Sequence, residues 1–288
     1  MNAPVSVIGL GNLGRAAARL FLRGGHPTTV WNRSAGKAAD LVSAGATQAG
    51  TAADAFAASP LVVVALLDPS VVRDVLADVG EAARGRAVVN LTSGGPEDAR
   101  AHAHWAAEHG ADYLHAAVYA VPQTLGTDDA SVSYSGSARV HEDWRAVLDL
   151  LAKGTFLGAD AGRASAFDVA VLAGMYGTLG GFLHAAAMGR AAGIDAAELT
   201  PALVSWLTGV FPALSGFADE IDRGDFATEE SSLDMNRAGL ATILRACQSL
   251  GVAAPTLRPL KDLVDRQVAE GHGAASLARV VESFGGGA

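Results

Sequence analysis

Residues 162–182, GRASAFDVAVLAGMYGTLGGF, form a long apolar run interrupted by one acid, Asp168, and one phenol, Tyr176. No lysine or arginine follows within the run to neutralise the acid, and a carboxylate without a partner is costly to bury. An acid and a phenol are groups that donate, accept and hold protons, so the pair reads as chemistry. On a helix, eight residues separate them by about 12 Å along the axis and about 80° around it. Both can border one pocket without touching. Plainer roles stand beside this one. Asp168 could cap the helix or pair with Arg163 or another arginine, and Tyr176 could be a core aromatic with a satisfied hydroxyl.

A second constellation opens the chain. VIGLGNLGRAAARLF carries G-x-G-x-x-G as Gly9, Gly11 and Gly14, with Leu10, Asn12 and Leu13 between them. In a strand–turn–helix context the first glycine permits the tight turn. The second lets backbone approach a pyrophosphate, and the third lets helix and strand pack closely. The anion then sits on a helix N-terminus. About 20 residues on, where an acid would bond the ribose diol of NAD, the sequence has Asn32, Arg33 and Ser34, with Lys37 following. An acid repels a 2′-phosphate and a guanidinium binds it with paired hydrogen bonds, so WNRSAGK points to NADPH. The alternative is that Arg33 and Lys37 merely solubilise a loop. LLDPSVV, with Leu66 and Leu67, is expected beside the adenosine ribose and pyrophosphate. NLTSGGP ends another strand and brings Asn90, Thr92 and Ser93 towards the nicotinamide, although turn chemistry alone could explain Ser93.

Elements of two kinds must position these groups. β-Rich runs at 5–10, 27–32, 61–67, 87–92, 112–118, 131–136 and 154–158 alternate in the first half with helical stretches at 12–24, 36–44, 70–79 and 97–109. That alternation predicts an α/β unit with a doubly wound, mostly parallel sheet. From about 163 onward only helices are expected: 163–192, 196–213, 216–223, 229–251, 256–270 and 274–284. The reading is therefore an N-terminal dinucleotide-binding domain, 1–161, a long interdomain helix, 162–192, and an all-α domain, 193–288. The long helix, about 45 Å at 1.5 Å per residue, is apolar nearly all round and dotted with Gly174, Gly177, Gly180 and Gly181. Such a helix asks to be buried, and a homodimer is expected to bury it, against the alternative of a self-sufficient monomeric bundle.

Composition narrows the rest. The chain has 288 residues, is 50% hydrophobic and carries a net charge of −9 without a basic block, which argues against general nucleic-acid binding. No run of about 18 apolar residues is free of glycine or polar breaks, so a membrane span is not expected. Cys247 is the single cysteine and offers neither an intrachain disulfide nor a cysteine zinc site. No metal site is expected, and the start resembles a first strand more than a leader, which makes the cytoplasm the default compartment. His184 reads as a helix-packing histidine, and His115 and Tyr119 carry no firm assignment.

GLGNLG, WNRSAGK, VVNLTSGGP, VPQTLGT and GMYGTLGGFLHA, in this order, resemble NADPH-dependent imine reductases and reductive aminases, relatives of the β-hydroxyacid dehydrogenases. The resemblance runs over essentially the whole chain. It implies a Rossmann domain, a long interdomain helix and a reciprocal domain-swapped dimer, with the active site between one subunit's Rossmann domain and the other's helical domain. β-Hydroxyacid dehydrogenases place a proton-donating lysine six residues after the glycine that opens this helix. Counting from Gly162, that position is Asp168, and the chain's only lysines are Lys37, Lys153 and Lys261. Val171 and Leu172 stand where the asparagine pair of those enzymes is expected. An ammonium suits a ketone but repels an iminium cation, which an acid and a phenol stabilise. The resemblance makes Tyr176 the candidate proton donor and Asp168 the partner of the substrate nitrogen, with Ser93 where reductive aminases often have asparagine. It also puts Val121, Pro122 and Leu125 in an apolar pocket wall. Trp206, Gly209 and Val210 would lie over the substrate, where periodicity alone reads them as core, and Met235 and Asn236 would come from the partner subunit.

The activity so implied is reduction of cyclic imines, with coupling of ketones and amines as an extension. A β-hydroxyacid dehydrogenase with an altered donor and a non-catalytic NADPH-binding sensor are the alternatives.

Overall fold

The computed structural model describes residues 2–34 and 36–285. The chain divides into two compact units, Met1–Ala173 and Gly174–Ala288.

The first unit runs β1 (Val5–Ile8), α1 (Asn12–Arg23), β2 (Thr28–Trp31), α2 (Ala39–Ser43), β3 (Thr47–Gln48), α3 (Ala52–Ala58) and β4 (Leu61–Val64). It continues through α4 (Pro69–Val79), β5 (Ala87–Asn90), α5 (Pro96–Glu108), β6 (Asp112–Tyr119), β7 (Ser131–Gly136), α6 (Ala138–Leu148) and β8 (Gly154–Phe156), to the start of α7 (Gly162–Ala191). One sheet has the order β3-β2-β1-β4-β5-β6-β7-β8. All neighbours are parallel except β6 and β7, which pair antiparallel from Leu114↔Gly136 to Tyr119↔Ser131.

β1, β4 and β5 are buried at every residue. Their near-continuous valine and leucine content is what a strand covered on both faces requires. One face packs with Phe21, Leu41 and Leu148, from α1, α2 and α6. The other packs with Phe56, Leu76 and Tyr113, drawing on α3 and α4. β1 sits between β2 and β4, so the chain leaves it in opposite directions for its two neighbours. A crevice opens at the carboxyl ends of β1 and β4 for that reason.

Three elements escape the sequence reading: β3, α3 and α6. α3 is short and alanine-rich, and its signal lies in its start. Thr51 accepts from the Asp54 amide at 3.0 Å while Asp54 Oδ2 accepts from the Thr51 amide at 3.1 Å, a reciprocal cap. α6 likewise starts on a capping serine, Ser137. The helix expected over 36–44 shrinks to Ala39–Ser43.

The entry to α7 is tied down inside the first unit. Ser135 Oγ donates to the Ala161 carbonyl and accepts from the Ala164 amide, both at 2.9 Å. Arg100 grips Asp160 with two parallel bonds, 2.9 and 2.8 Å, and holds that carboxyl down to about 2. Ser165 Oγ donates to the Gly94 carbonyl, fastening the helix to the loop after β5.

The second unit holds the rest of α7 with α8 (Ala196–Val210), α9 (Ala213–Arg223), α10 (Leu233–Ser249) and α11 (Arg258–Ala269). The expected last helix, 274–284, is 3₁₀ turns over Leu277–Ser283. Leu233, Val264 and Val280 form its small core. His184 packs inside this unit, Nδ1 2.5 Å from Thr256 Oγ1 and Nε2 3.4 Å from the Cys247 sulfur. By length and composition α7 is long and apolar enough to cross a membrane, contrary to the reading of its breaks, because glycine and alanine interrupt it without making it polar. The unit leaves many large apolar side chains exposed, among them Leu183, Val204, Phe211 and Leu214.

Candidate active site

A cleft of about 450 Å³ lies at the carboxyl ends of β1, β2 and β4, within the first unit. Gly9, Gly11, Asn12, Leu13 and Gly14 line one side, Asn32, Arg33, Ser34 and Lys37 another, and Leu66 and Leu67 a third. The glycines differ in what they do. Gly9 has φ +95°, and a Cβ there would lie 2.2 Å from the Ala65 carbonyl oxygen; at Gly14 one would lie 2.0 Å from the Gly9 carbonyl oxygen. These two make the turn and the helix–strand contact possible. A Cβ on Gly11 would meet no protein atom within 4 Å. That position faces open space at the start of α1, whose N-terminus has no side-chain cap. Uncapped amides beside open space fit an anion such as a pyrophosphate. Among the described residues Arg33 and Lys37 make no ion pair. Arg15 Nη1, which donates to the Lys37 carbonyl at 2.6 Å, holds that side of the cleft.

Leu10, Asn90 and Thr92 do not line the cleft. Leu10 turns its side chain into the core, and its amide donates to Asn32 Oδ1 at 2.9 Å. Thr92 Oγ1 accepts from the Leu66 amide at 3.0 Å, and the Thr92 amide donates to Asn90 Oδ1 at 3.0 Å. Asn90 Nδ2 donates to the Tyr113 hydroxyl at 3.0 Å, which stands 3.3 Å from His115 Nδ1. This buried chain of bonds braces the loops after β4 and β5. Burial, then the charge of His102, pushes His115 down to about 4. Burial raises the Tyr113 phenol.

The carboxyl edge continues past the cleft to Ser93 and Asp168. Asp168 is 2% exposed, and its Oδ2 finds no protein partner. Burial raises its carboxyl above the ordinary range, and the neighbouring Ser93 hydroxyl works against that rise. Neither a helix cap nor a pair with Arg163 accounts for this acid. Val121 is exposed and Pro122 half-buried on the same loop. Leu125, expected in the pocket wall, is instead 5% exposed within the sheet's core, because the loop turns its side chain inward.

In the second unit Tyr176, Trp206 and Met235 are 66%, 72% and 62% exposed. Trp206, Gly209 and Val210 share one shallow groove on α8. Asn236 spends its amide locally, donating to the Ser231 side chain at 3.0 Å and the Ser232 carbonyl at 2.9 Å. No group of three or more histidines, cysteines, aspartates or glutamates among the described residues could hold a metal.

Comparison with known proteins agrees with this layout. Residues 4–160 match the NAD binding domain of 6-phosphogluconate dehydrogenase, and residues 160–286 match the NADPH-dependent reductive aminase-like C-terminal domain. An NADPH-dependent reductive aminase of Aspergillus oryzae is 39% identical, over 99% of this chain and 98% of that protein. The chain belongs to the NADPH-dependent imine reductase and reductive aminase family. A reductive aminase from Aspergillus terreus, solved with NADPH4, cyclohexanone and allyl amine, superposes on this family member with a TM-score of 0.94 at 39% identity, covering 99% of this chain and 100% of that one. A Streptomyces aurantiacus imine reductase gives 0.93 at 32% identity, covering 98% and 100%.

Sequence reasoning on this imine reductase family member missed several site residues. Trp31, Val75 and Leu91 line the cleft, as does Val71 from the LLDPSVV stretch expected there. Trp31 was findable, since it ends β2 one residue before Asn32. Val75 was not, because its approach depends on how α4 packs. Tyr113 gave no signal, since only the pairing of β5 with β6 brings it to Asn90.

Proposed function

We propose that this protein is an oxidoreductase that reduces C=N bonds with NADPH, taking cyclic imines and imines formed from a ketone and an amine. The observation that carries the reading is Asp168, a buried acid with a free oxygen at the carboxyl edge of a dinucleotide-binding sheet. An ammonium is the group that would help a developing alkoxide, and the long helix has no lysine. A carboxyl helps a cationic nitrogen.

The chain's own residues divide the work. Gly11 and the N-terminus of α1 receive the pyrophosphate, and Arg33 and Lys37 receive a 2′-phosphate. Asn32 and Thr92 hold the walls of the cleft in place. When bound, NADPH supplies the hydride that adds to the carbon of the C=N bond. Asp168 holds the nitrogen through its N–H and balances its charge, with Ser93 beside it. Tyr176 serves as the hydroxyl that donates to, or orients, the nitrogen. Trp206, Gly209, Val210, Met235 and Asn236 shape the pocket around the carbon substituents, and Val121 and Pro122 add apolar surface to it.

The same reading includes a domain-swapped homodimer. Tyr176, Leu183, Trp206, Phe211 and Leu214 are all exposed on the helical unit. So much exposed apolar surface marks an interaction surface, and a second copy covers it. Light scattering after gel filtration is expected to give twice the 29.1 kDa chain mass.

Turnover of 1-pyrroline with NADPH, measured beside 3-hydroxyisobutyrate with NADP, tests the function. Imine reduction with negligible hydroxy-acid oxidation supports it. Faster oxidation of the hydroxy acid assigns the chain to carbonyl chemistry instead, and inertness towards both leaves a nucleotide-binding protein.

A further inference from the structure

β6 outruns its parallel neighbour. Asn90, the last residue of β5, pairs with His115, while β6 continues to Tyr119 against β7. Four more residues at about 3.3 Å each carry Tyr119 about 13 Å beyond the end of β5. That is the side of the sheet on which ligands of doubly wound folds are held. Strand alternation puts Tyr119 on the same face as Tyr113 and His115. Its ring meets Phe167 edge-on, with centroids 6.2 Å apart and planes at 68°. Phe167 precedes Asp168 on α7, so the phenol and the acid share one neighbourhood.

Two buried oxygens there lack partners. Tyr119 Oη and Asp168 Oδ2 are both out of solvent, and no protein group meets either oxygen in good hydrogen-bond geometry, the Ser133 and Ser93 hydroxyls standing near the two side chains. Burial raises the Tyr119 phenol, the nearby Ser133 hydroxyl opposes the rise, and the charge of Asp168 adds to it. The phenol therefore keeps its proton, and its oxygen retains lone pairs for an incoming donor. Native structures seldom leave two such atoms bare without a ligand to satisfy them.

We infer that Tyr119 is a specificity-determining residue for the amine, and that with Asp168 it selects primary amines. The inference rests on the proposed reduction of imines formed from ketones and amines. A primary amine has two N–H bonds and one lone pair. Asp168 Oδ2 accepts one N–H and Tyr119 Oη the other, leaving the lone pair free for the carbonyl carbon. A secondary amine has one N–H, so it leaves one buried oxygen unsatisfied and sets an alkyl group against it. Discrimination of this kind is strong because the penalty falls on the site's own polar atoms.

The test uses the full-length protein with NADPH, cyclohexanone, and either methylamine or dimethylamine, in the wild type and in Tyr119→Phe. The wild type is expected to favour methylamine. Tyr119→Phe is expected to raise the methylamine KM about tenfold, the loss of one hydrogen bond to a buried polar partner, and to shrink the preference by the same factor. Tyr119→Met removes the same oxygen without keeping the ring, so the result does not hang on one variant's folding. Equal changes for both amines would reduce Tyr119 to a structural role, and an unchanged methylamine KM would remove it from the site. Wild-type protein that reduces 1-pyrroline but couples neither amine overturns this inference alone. Failure on 1-pyrroline as well overturns the proposed function with it.

Discussion

Asn32 Oδ1 accepts a 2.9 Å hydrogen bond from the Leu10 amide, so the end of β2 is fastened to the glycine turn that follows β1. The residue in the place of the ribose-binding acid thus has a structural task, while Arg33 beside it lines the cleft and makes no ion pair among the described residues. Arg33→Ala is expected to raise the NADPH KM at least about tenfold and to leave the NADH KM nearly unchanged, since a guanidinium–phosphate pair is lost only with the former. Asn32→Ala is expected to weaken both cofactors, because it loosens the turn itself. Steady-state imine reduction at varied NADPH and NADH concentrations reads both.

Asp168→Asn keeps the size of the side chain and removes its charge. Turnover of 1-pyrroline is expected to fall by about 10²-fold or more, the range for loss of a proton-handling group. Stability should move the other way. A carboxyl whose folded value is raised favours folding below its unfolded value, 3.8, and loses that advantage as the pH climbs through the folded value. Asp168→Asn is therefore expected to melt a few degrees above the wild type at neutral pH, with the gap closing as the pH falls towards 3.8. A lower melting point at neutral pH would show the charge to be stabilising instead.

Tyr176→Phe removes one oxygen from an exposed ring. A fall in imine turnover of at least about tenfold with an unaltered melting temperature is expected of a proton donor. Turnover like that of the wild type would make Tyr176 a packing residue.

His115 sets an acid limit on the fold. Its folded value is about 4 against 6.5 for the free side chain, through burial first and the His102 charge second. Between these values the unfolded chain binds a proton that the folded one refuses. Stability is full above 6.5 and drains as the pH falls towards about 4, by at most about 3 kcal/mol. Urea titrations of the wild type and His115→Gln are expected to diverge in this window, the variant losing less.

Trp206, 72% exposed on the α8 groove, should matter to assembly. Trp206→Glu puts a charge where a second copy is proposed to pack. It is expected to halve the mass seen by light scattering at micromolar concentration. An unchanged dimer would move the interface elsewhere.

How much of this was legible beforehand varies with the distance over which each feature is encoded. The alternation of strands with helices, the glycine turn and the basic pair Arg33 and Lys37 are local patterns, and the sequence determined them, β3, α3 and α6 excepted. Their physics acts within a few residues: a φ of +95° at Gly9, a short continuous apolar run such as LVVV, an uncapped helix start. Asp168 was legible too, because one acid in an apolar run is conspicuous without coordinates. The tertiary structure alone decided that Leu125 packs inward, that Asn90 and Thr92 brace loops by bonding to each other and beyond, and that Tyr119 stands near Asp168. Each depends on strand register and helix docking between segments far apart in the chain, and no short stretch of residues carries that information.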